Sequence, residues 1–428
     1  MYAVKYVTYV TQLPMTSQIS TRAFDWRRRH KFSAMDALRP TTTEAPVDGD
    51  DGPRASKEEI LACQFSSWYD DFRNLSGAAN KNCTIKSVIV PLPPIFIEYL
   101  RSDGVRLPDG ATKLSSCAPA HEDDGWSSDE DGDNDDEEED SIDGKRYSFP
   151  ELNEQISEGI ASLGGAVLPK LNWSSPKDAT WVNNGTMKCE TPGDVYILLK
   201  SSDFVSHDIQ HTFDGATGND AEADKAEGDD TGTPFQFELA LRKWSNLHAS
   251  QEFRCFVSDH ELVAISQRNH TQHYPHLSRE SITIRSRIVD FFVDSIQRRF
   301  ASGSIAKYVF DCYVDKNGRV WLLDFNPWSL RTDSLLFDWD NLQKLAADVA
   351  TSGEGGAGEV EDEGKTDDAV SCENVRPCIK VVETELEVHH DPIASFRAPI
   401  DTVDLMSDAD GANSFQNFMA MCERPSEM

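Results

Sequence analysis

The chain has 428 residues, of which 74 are acidic and 41 basic, for a formal charge of −33, and 39 % are hydrophobic. This balance excludes a nucleic-acid-backbone binder, which needs a basic surface, and no apolar run is long enough to span a bilayer. Nine scattered cysteines without a C-x-x-C pair indicate free thiols in a reducing compartment, not a disulfide framework or a zinc site.

Three stretches concentrate the charge. Residues 121–143 hold fourteen acids and no lysine or arginine, while 214–230 and 354–368 each hold seven acids and one lysine. Together they carry −26 of the −33. They read as insertions and linkers that repel themselves into extended states.

In chain order, residues 1–55 read as a disordered leader, with a basic cluster at 27–31; a transit peptide is the competing reading. Foldable sequence begins near Lys57, where Ser56 and Glu59 have capping-box spacing. Residues 84–90 read as a strand closed by the prolines at 91–94, and 95–100 as a short helix. The acidic insertion follows at 118–147, with one aromatic, Trp126, which is either a partner anchor or a chance exposed ring.

Folding resumes at Pro150. Leu152, Ile156 and Ile160 recur every four residues, a helical stripe that Gly164-Gly165 ends. Residues 166–168 read as a strand. A second helix starts at Thr191-Pro192, with Thr191 as cap. An acidic loop (210–232) follows.

Phe235, Phe237, Leu239 and Leu241 then alternate with polar residues, the period of a half-buried strand. Two more strands are expected at 253–257 and 262–267, and an amphipathic helix through Ile284, Ile288 and Ile296. A last hairpin joins 308–314 to 319–326 around Asn317-Gly318. A helix near 342–349, an acidic linker (351–374), a C-terminal segment (375–400) that packs back and is strand-like at 379–387, and a tail (401–428) complete the chain. The foldable part divides into residues 56–117 and a core at 148–350. The class is α+β with antiparallel sheet.

The hairpin carries the strongest chemical signal. With Asn-Gly as a two-residue type I′ turn, Asp311 lies opposite Asp324, their Cβ atoms ~4.5–5.5 Å apart on one face. Two facing carboxylates repel unless a cation sits between them. Asn326 points to the same face. Two Asp and one Asn suit a hard cation such as Mg²⁺, which usually bridges to substrate phosphates. The competing reading is a pair of ordinary strand carboxylates, in or out of register.

The basic residues Lys170, Lys177, Arg242, Lys243, Arg254 and Arg268 lie on or beside strands of an otherwise acidic chain. Either they converge on an anion such as a polyphosphate, or each is a solvated strand residue. P-loop, dinucleotide-fold and Ser-nucleophile motifs are absent. His270, His273 and His276 read as a polar loop rather than a metal site.

Eight segments resemble the cell division cycle protein 123 family: 63–69 (CQFSSWY), 85–93 (IKSVIVPLP), 169–176 (PKLNWSSP), 200–204 (KSSDF), 241–244 (LRKW), 252–257 (EFRCFV), 265–268 (ISQR) and 323–327 (LDFNP). The resemblance runs from about residue 62 to 339. It implies an ATP-grasp-like fold, two subdomains with MgATP between them. It also implies an assembly factor for translation initiation factor 2 that docks the gamma subunit, a cytoplasmic monomer with no direct contact to nucleic acid or membrane.

Carried over residue by residue, it implies ATP contacts at Lys170, Trp173, Ser175 and Lys177 on the phosphate-covering side. Arg242, Lys243 and Trp244 would meet the adenine, and Arg254 and Arg268 the phosphates or ribose. Asp311, Asp324 and Asn326 would hold Mg²⁺. The family often carries Ala and Arg where this chain has Ser175 and Lys177, and residues 328–331 (WSLR) also depart from it. The alternatives are an ATP-grasp ligase acting through an acyl-phosphate and a non-catalytic scaffold with a vestigial site.

Overall fold

The computed structural model describes residues 52–74, 82–111, 114–115, 146–217, 236–352 and 376–390. The expected leader up to residue 51, Trp126, the 121–143 and 354–368 acidic stretches, most of the 210–232 loop and the tail lie outside the described residues. Among the described residues no helix is long and apolar enough to cross a membrane.

A three-stranded antiparallel sheet organises the smaller lobe, with β3 (Glu238–Lys243) between β1 (Ser87–Pro91) and β2 (Val167–Leu171). Against it pack α3 (Pro94–Arg101), α4 (Pro150–Ser162), α5 (Pro192–Ser201) and α6 (Asp203–Gln210). The helical stripe expected in α4 is buried: Leu152, Ile156 and Ile160 face the sheet. Each such burial contributes about 1.5–3 kcal/mol. Gly159 lets α4 approach β3, because a Cβ there would sit 2.6 Å from Leu241 Cδ1. The Thr191 cap holds, reciprocated by Asp194. Along α5 every residue from Gly193 to Ser201 is buried, and the Lys200 ammonium donates to the Ser102 hydroxyl (2.9 Å) and to carbonyls at the end of α3.

The alternation expected from Phe235 is corrected here. β3 starts at Glu238, and all its residues but Lys243 are buried. It is a central strand covered on both faces, so polar Glu238 and Arg242 are enclosed rather than solvated.

The larger lobe is a five-stranded sheet in the order β7-β6-β4-β5-β8. Its strands are β4 (Glu252–Ser258), β5 (Glu261–Gln267), β6 (Tyr308–Val314), β7 (Val320–Pro327) and β8 (Cys378–Lys380). The last pairs parallel to β5, so the sheet is mainly antiparallel, and the strand expected at 379–387 shrinks to three residues. One face packs on α2 (Phe65–Arg73) and α7 (Pro275–Phe291), through Phe253, Cys255, Phe310, Cys312 and Leu322. The capping box at Ser56 and Glu59 opens α1 (Lys57–Ala62), just before α2.

The opposite face is divided. Phe256, Ala264 and Val309 lie under α8 (Trp339–Ser352) and Trp328. Further along the same strands, the positions sharing that face are Arg254 and Asp311, which pair across β4 and β6. The smaller lobe meets that polar half.

The hairpin reaches the expected Asp311–Asp324 pairing by another route. Asn317 is not in the left-handed region that a type I′ turn demands; only Gly318 is, at φ 79°. The turn closes with Gly318 N–H to Asp315 O (2.8 Å), and Asp315 pairs with Arg319. Strand pairs next to it therefore run one residue off the expected register, as Val314↔Val320 and Cys312↔Leu322. A bulge at Leu323 restores the offset, giving Asp311↔Asp324 and Val309↔Asn326. The extra residue matters: without it Leu322 and Asp324 would share a face, whereas Leu322 enters the core.

Candidate functional site

Asp311 is 7 % exposed and Arg254, its cross-strand neighbour, 4 %. The guanidinium grips the carboxylate in a fork, Nε to Oδ1 at 2.8 Å and Nη2 to Oδ2 at 2.9 Å. Arg268, just past β5, adds Nε to Oδ2 at 3.4 Å. Burial opposes ionisation of Asp311, but Arg254, Arg268 and Lys177 outweigh it and hold the carboxyl well below the usual range. Arg254 also donates to Asp333 O at 2.8 Å.

From the smaller lobe, Lys170 on β2 crosses to the other sheet. Its ammonium lies 2.7 Å from Asp324 Oδ2 and also donates to the Trp173 carbonyl. Beyond it the chain turns, with Leu171 N–H to Ser174 O at 2.8 Å, and Lys177 N–H donates to Ser175 O at 2.8 Å. The Lys177 pKa is lowered to about 8, first by the like charge of Arg268 and then by desolvation. Its side chain keeps solvent contact. Arg242 on β3 is buried with its guanidinium 5.4 Å over the Phe65 ring. Burial lowers its pKa, and Asp324 opposes that.

Four buried polar atoms in this region lack a hydrogen-bond partner: Arg242 Nε and Nη2, Asp324 Oδ1 and Asn326 Nδ2. Unsatisfied buried groups cost about 1–3 kcal/mol each, so their gathering between two sheets fits a polar ligand. For a divalent cation the donor set is two carboxylates and one amide; among the described residues no group of three His, Cys, Asp or Glu side chains could hold one. Asp324 Oδ1 is open, the Asn326 amide can present its oxygen by half a turn, and each Asp311 oxygen keeps a lone pair beside its arginine contact. The residues fit Mg²⁺ shared with a ligand's oxygens.

Seven of the expected residues thus meet in one cleft: Lys170, Lys177, Arg242, Arg254, Arg268, Asp311 and Asp324. Asn326 stands on the same face. Ser175 is half-buried in the loop between Lys170 and Lys177, where its carbonyl accepts the Lys177 N–H. Trp173 is partly buried; its Nε1 donates to Ile60 O (2.9 Å), and its ring meets Phe213 edge-on. Lys243 is exposed at the end of β3, and Trp244 N–H donates to Ala166 O at 3.0 Å. Those two flank the cleft and share none of its ion pairs.

Sequence reasoning missed Asp208. It is 6 % exposed on α6 and accepts from Ser174 N–H (2.8 Å) and Ser174 Oγ–H (2.9 Å). Burial pushes its pKa up to about 6, against the Ser174 bonds and Lys170. A signal was present: Val205, Asp208 and Ile209 have helical spacing and all are buried, so an acid sits within an apolar stripe. Of the three histidines expected in one polar loop, His270 and His273 lie in the loop but His276 is in the first turn of α7; His270 is buried, which lowers its pKa.

The D123 family model matches residues 68–406. A Xenopus tropicalis protein named translation initiation factor eIF2 assembly protein is 38 % identical over 362 residues, 83 % of this chain and 93 % of that one. An Aspergillus terreus protein named cell division cycle protein 123 is 37 % identical over 314 residues, covering 72 % and 69 %. The solved structure of Cdc123 from Schizosaccharomyces pombe superposes with a TM-score of 0.51 at 34 % identity, covering 68 % of this chain and 94 % of that one. The chain belongs to the D123 family.

Proposed function

We propose that this D123-family protein binds ATP with Mg²⁺ between its two sheets and serves as an assembly factor for translation initiation factor eIF2, docking the gamma subunit. The assembly role rests on the relatives' names and on identity across most of the chain. The nucleotide reading rests on one observation. Cations from both lobes (Lys170 and Arg242; Arg254 and Arg268) converge on two carboxylates, around buried polar atoms without partners. An isolated pair of sheets has no need of such a cluster, whereas a polyphosphate with a metal uses both its signs.

In this reading Lys170, Lys177, Arg254 and Arg268 neutralise phosphate oxygens, and Trp173 and the Ser175 backbone border them. Arg242, Lys243 and Trp244, at the end of β3, border the base. Asp311, Asp324 and Asn326 would hold the metal, whose positive charge would offset the repulsion between the phosphates and the two carboxylates. Lys170 links metal strand and covering loop, so ligand binding at Asp324 bears on how the lobes sit together. The site residues act by binding and orienting, and none is assigned a bond-breaking role. The protein works as a cytoplasmic monomer. Its acidic stretches meet basic surfaces of the partner, so the complex weakens as salt rises.

Calorimetric titration of ATP with and without Mg²⁺ tests the site, alongside Asp324→Ala. Magnesium-dependent binding that weakens at least tenfold in the variant is expected. No binding by the intact protein would overturn the nucleotide reading in favour of a scaffold. Release of ADP with a ligated product would overturn the non-catalytic one. Pull-downs with separate eIF2 subunits test the partner, and capture of alpha or beta but not gamma would refute that choice.

A further inference from the structure

The loop carrying Ser175 and Lys177 is tied to α6 at both ends. At one end Asp178 accepts from the Ser202 hydroxyl (2.6 Å) and from the Asp203 N–H (2.6 Å), and so caps the helix. At the other end Asp208 accepts the N–H and the hydroxyl of Ser174 on separate oxygens. The five helical steps from Asp203 to Asp208 span about 7.5 Å. A short rigid rod therefore sets the separation of the two loop ends.

The rod is also fixed to the other lobe. Arg331, five residues beyond Asn326, donates to the carbonyls of Thr212 (2.5 Å) and His211 just past α6, and its Nη2 lies 3.1 Å from His207 Nε2. Covering loop, α6 and the segment that follows the metal strand are thus one hydrogen-bonded unit.

Asp208 is an unusual choice for a purely structural clamp. Among the described residues no lysine or arginine forms an ion pair with it, and Lys170 and Arg331 act only at longer range. A buried carboxylate without a contacting cation is costly, and its raised pKa reflects that cost. What the carboxylate supplies is geometry, since two acceptor oxygens lock both Ser174 donors at once.

We propose that Asp208 is a positioning residue of the nucleotide site, its carboxylate holding residues 173–177 in the one conformation that presents the Ser175 backbone and Lys177 to the phosphates. This rests on the nucleotide reading above. Asp208 touches no ligand in this scheme and acts through Ser174.

The test compares the full-length protein with Asp208→Asn and Ser174→Ala, reading MgATP affinity and backbone hydrogen exchange of the ligand-free state. In Asp208→Asn the amide keeps one acceptor oxygen and turns an N–H₂ toward a donor. MgATP affinity is expected to fall more than tenfold, with faster exchange confined to residues 173–177. Ser174→Ala, which loses only the hydroxyl bond, is expected to lose two- to fivefold with the same localised exchange. Unchanged affinity in Asp208→Asn overturns the proposal, and so does exchange rising across α4 and α5 as much as in the loop. If Asp208→Asn does not fold, Ser174→Ala decides by the same criteria. Failure of the unaltered protein to bind MgATP refutes the underlying site reading instead, and is distinct from binding that the variants leave intact.

Discussion

Replacing Arg254 with methionine should destabilise the larger lobe in a way that identifies the pair as the cause. Arg254 and Asp311 are joined at 2.8 and 2.9 Å, and both are nearly inaccessible to solvent. Removing one partner of a buried ion pair costs about 3–5 kcal/mol, because the other charge is left in a poor solvent. Asp311 keeps Arg268 at 3.4 Å, a side chain 24 % exposed, so the loss belongs near the lower end of that range. At ~2–4 °C per kcal/mol for a chain of this size, a loss of about 3 kcal/mol lowers Tm by ~6–12 °C.

Thermal unfolding followed by circular dichroism at neutral pH, without nucleotide, reads this directly. Arg254→Met with Asp311→Leu should recover most of the loss, since a buried pair exchanged for apolar groups is often close to neutral. The pH dependence supplies a second check. Asp311 is held below its ordinary value, so its stabilising effect is complete above the unfolded value of about 3.9 and disappears as the pH falls through the folded value. The unaltered protein should therefore lose more stability on acidification below about pH 4 than Arg254→Met does. A single variant within ~2 °C of the parent, or a double variant no more stable than the single, would refute the reasoning.

Three further outcomes are expected. Lys177 titrates near 8, so MgATP affinity should decline as the pH rises from 7 to 9, with proton uptake on binding measurable by calorimetry in buffers of different ionisation enthalpy; a flat profile would remove Lys177 from the phosphate contacts. Gly159→Ala gains helix propensity but drives a methyl to 2.6 Å from Leu241, and overpacking of about 1–3 kcal/mol should win, seen as a lower denaturation midpoint; a stabilised variant would show that β3 yields easily. Ser56→Ala removes the acceptor of the Glu59 N–H at 3.2 Å and should cost ~1 kcal/mol, a Tm drop of ~2–4 °C; no change would mean that α1 contributes little to the cooperative unit.

Much of this protein could be read from local chemistry. Caps at Ser56 and Thr191, the stripe Leu152–Ile156–Ile160 and the strands on both sides of residues 258–261 depend on neighbours in sequence, so propensity and period suffice for them. The convergence of Asp311 with Asp324 was also legible, though the turn and bulge that produce it were not. A bulge is a tertiary compromise, here between Leu322 seeking the core and Asp324 seeking the cleft, and neither demand is visible in a dipeptide. The enclosure of β3 likewise depended on what covers its second face, which no alternation of its own residues encodes.

The same division holds for the site. Residue types named the cations and carboxylates, because an acidic chain that keeps Lys170, Arg242, Arg254 and Arg268 on or beside strands invites an anion. Only the tertiary structure paired Lys170 with Asp324 across the lobes, 154 positions apart in sequence, and set Arg254 against Asp311 across 57. Only the tertiary structure brought Asp208 to Ser174. Coulombic and hydrogen-bond partners at such separations are chosen by how sheets and helices pack, and packing follows from the whole core rather than from any segment.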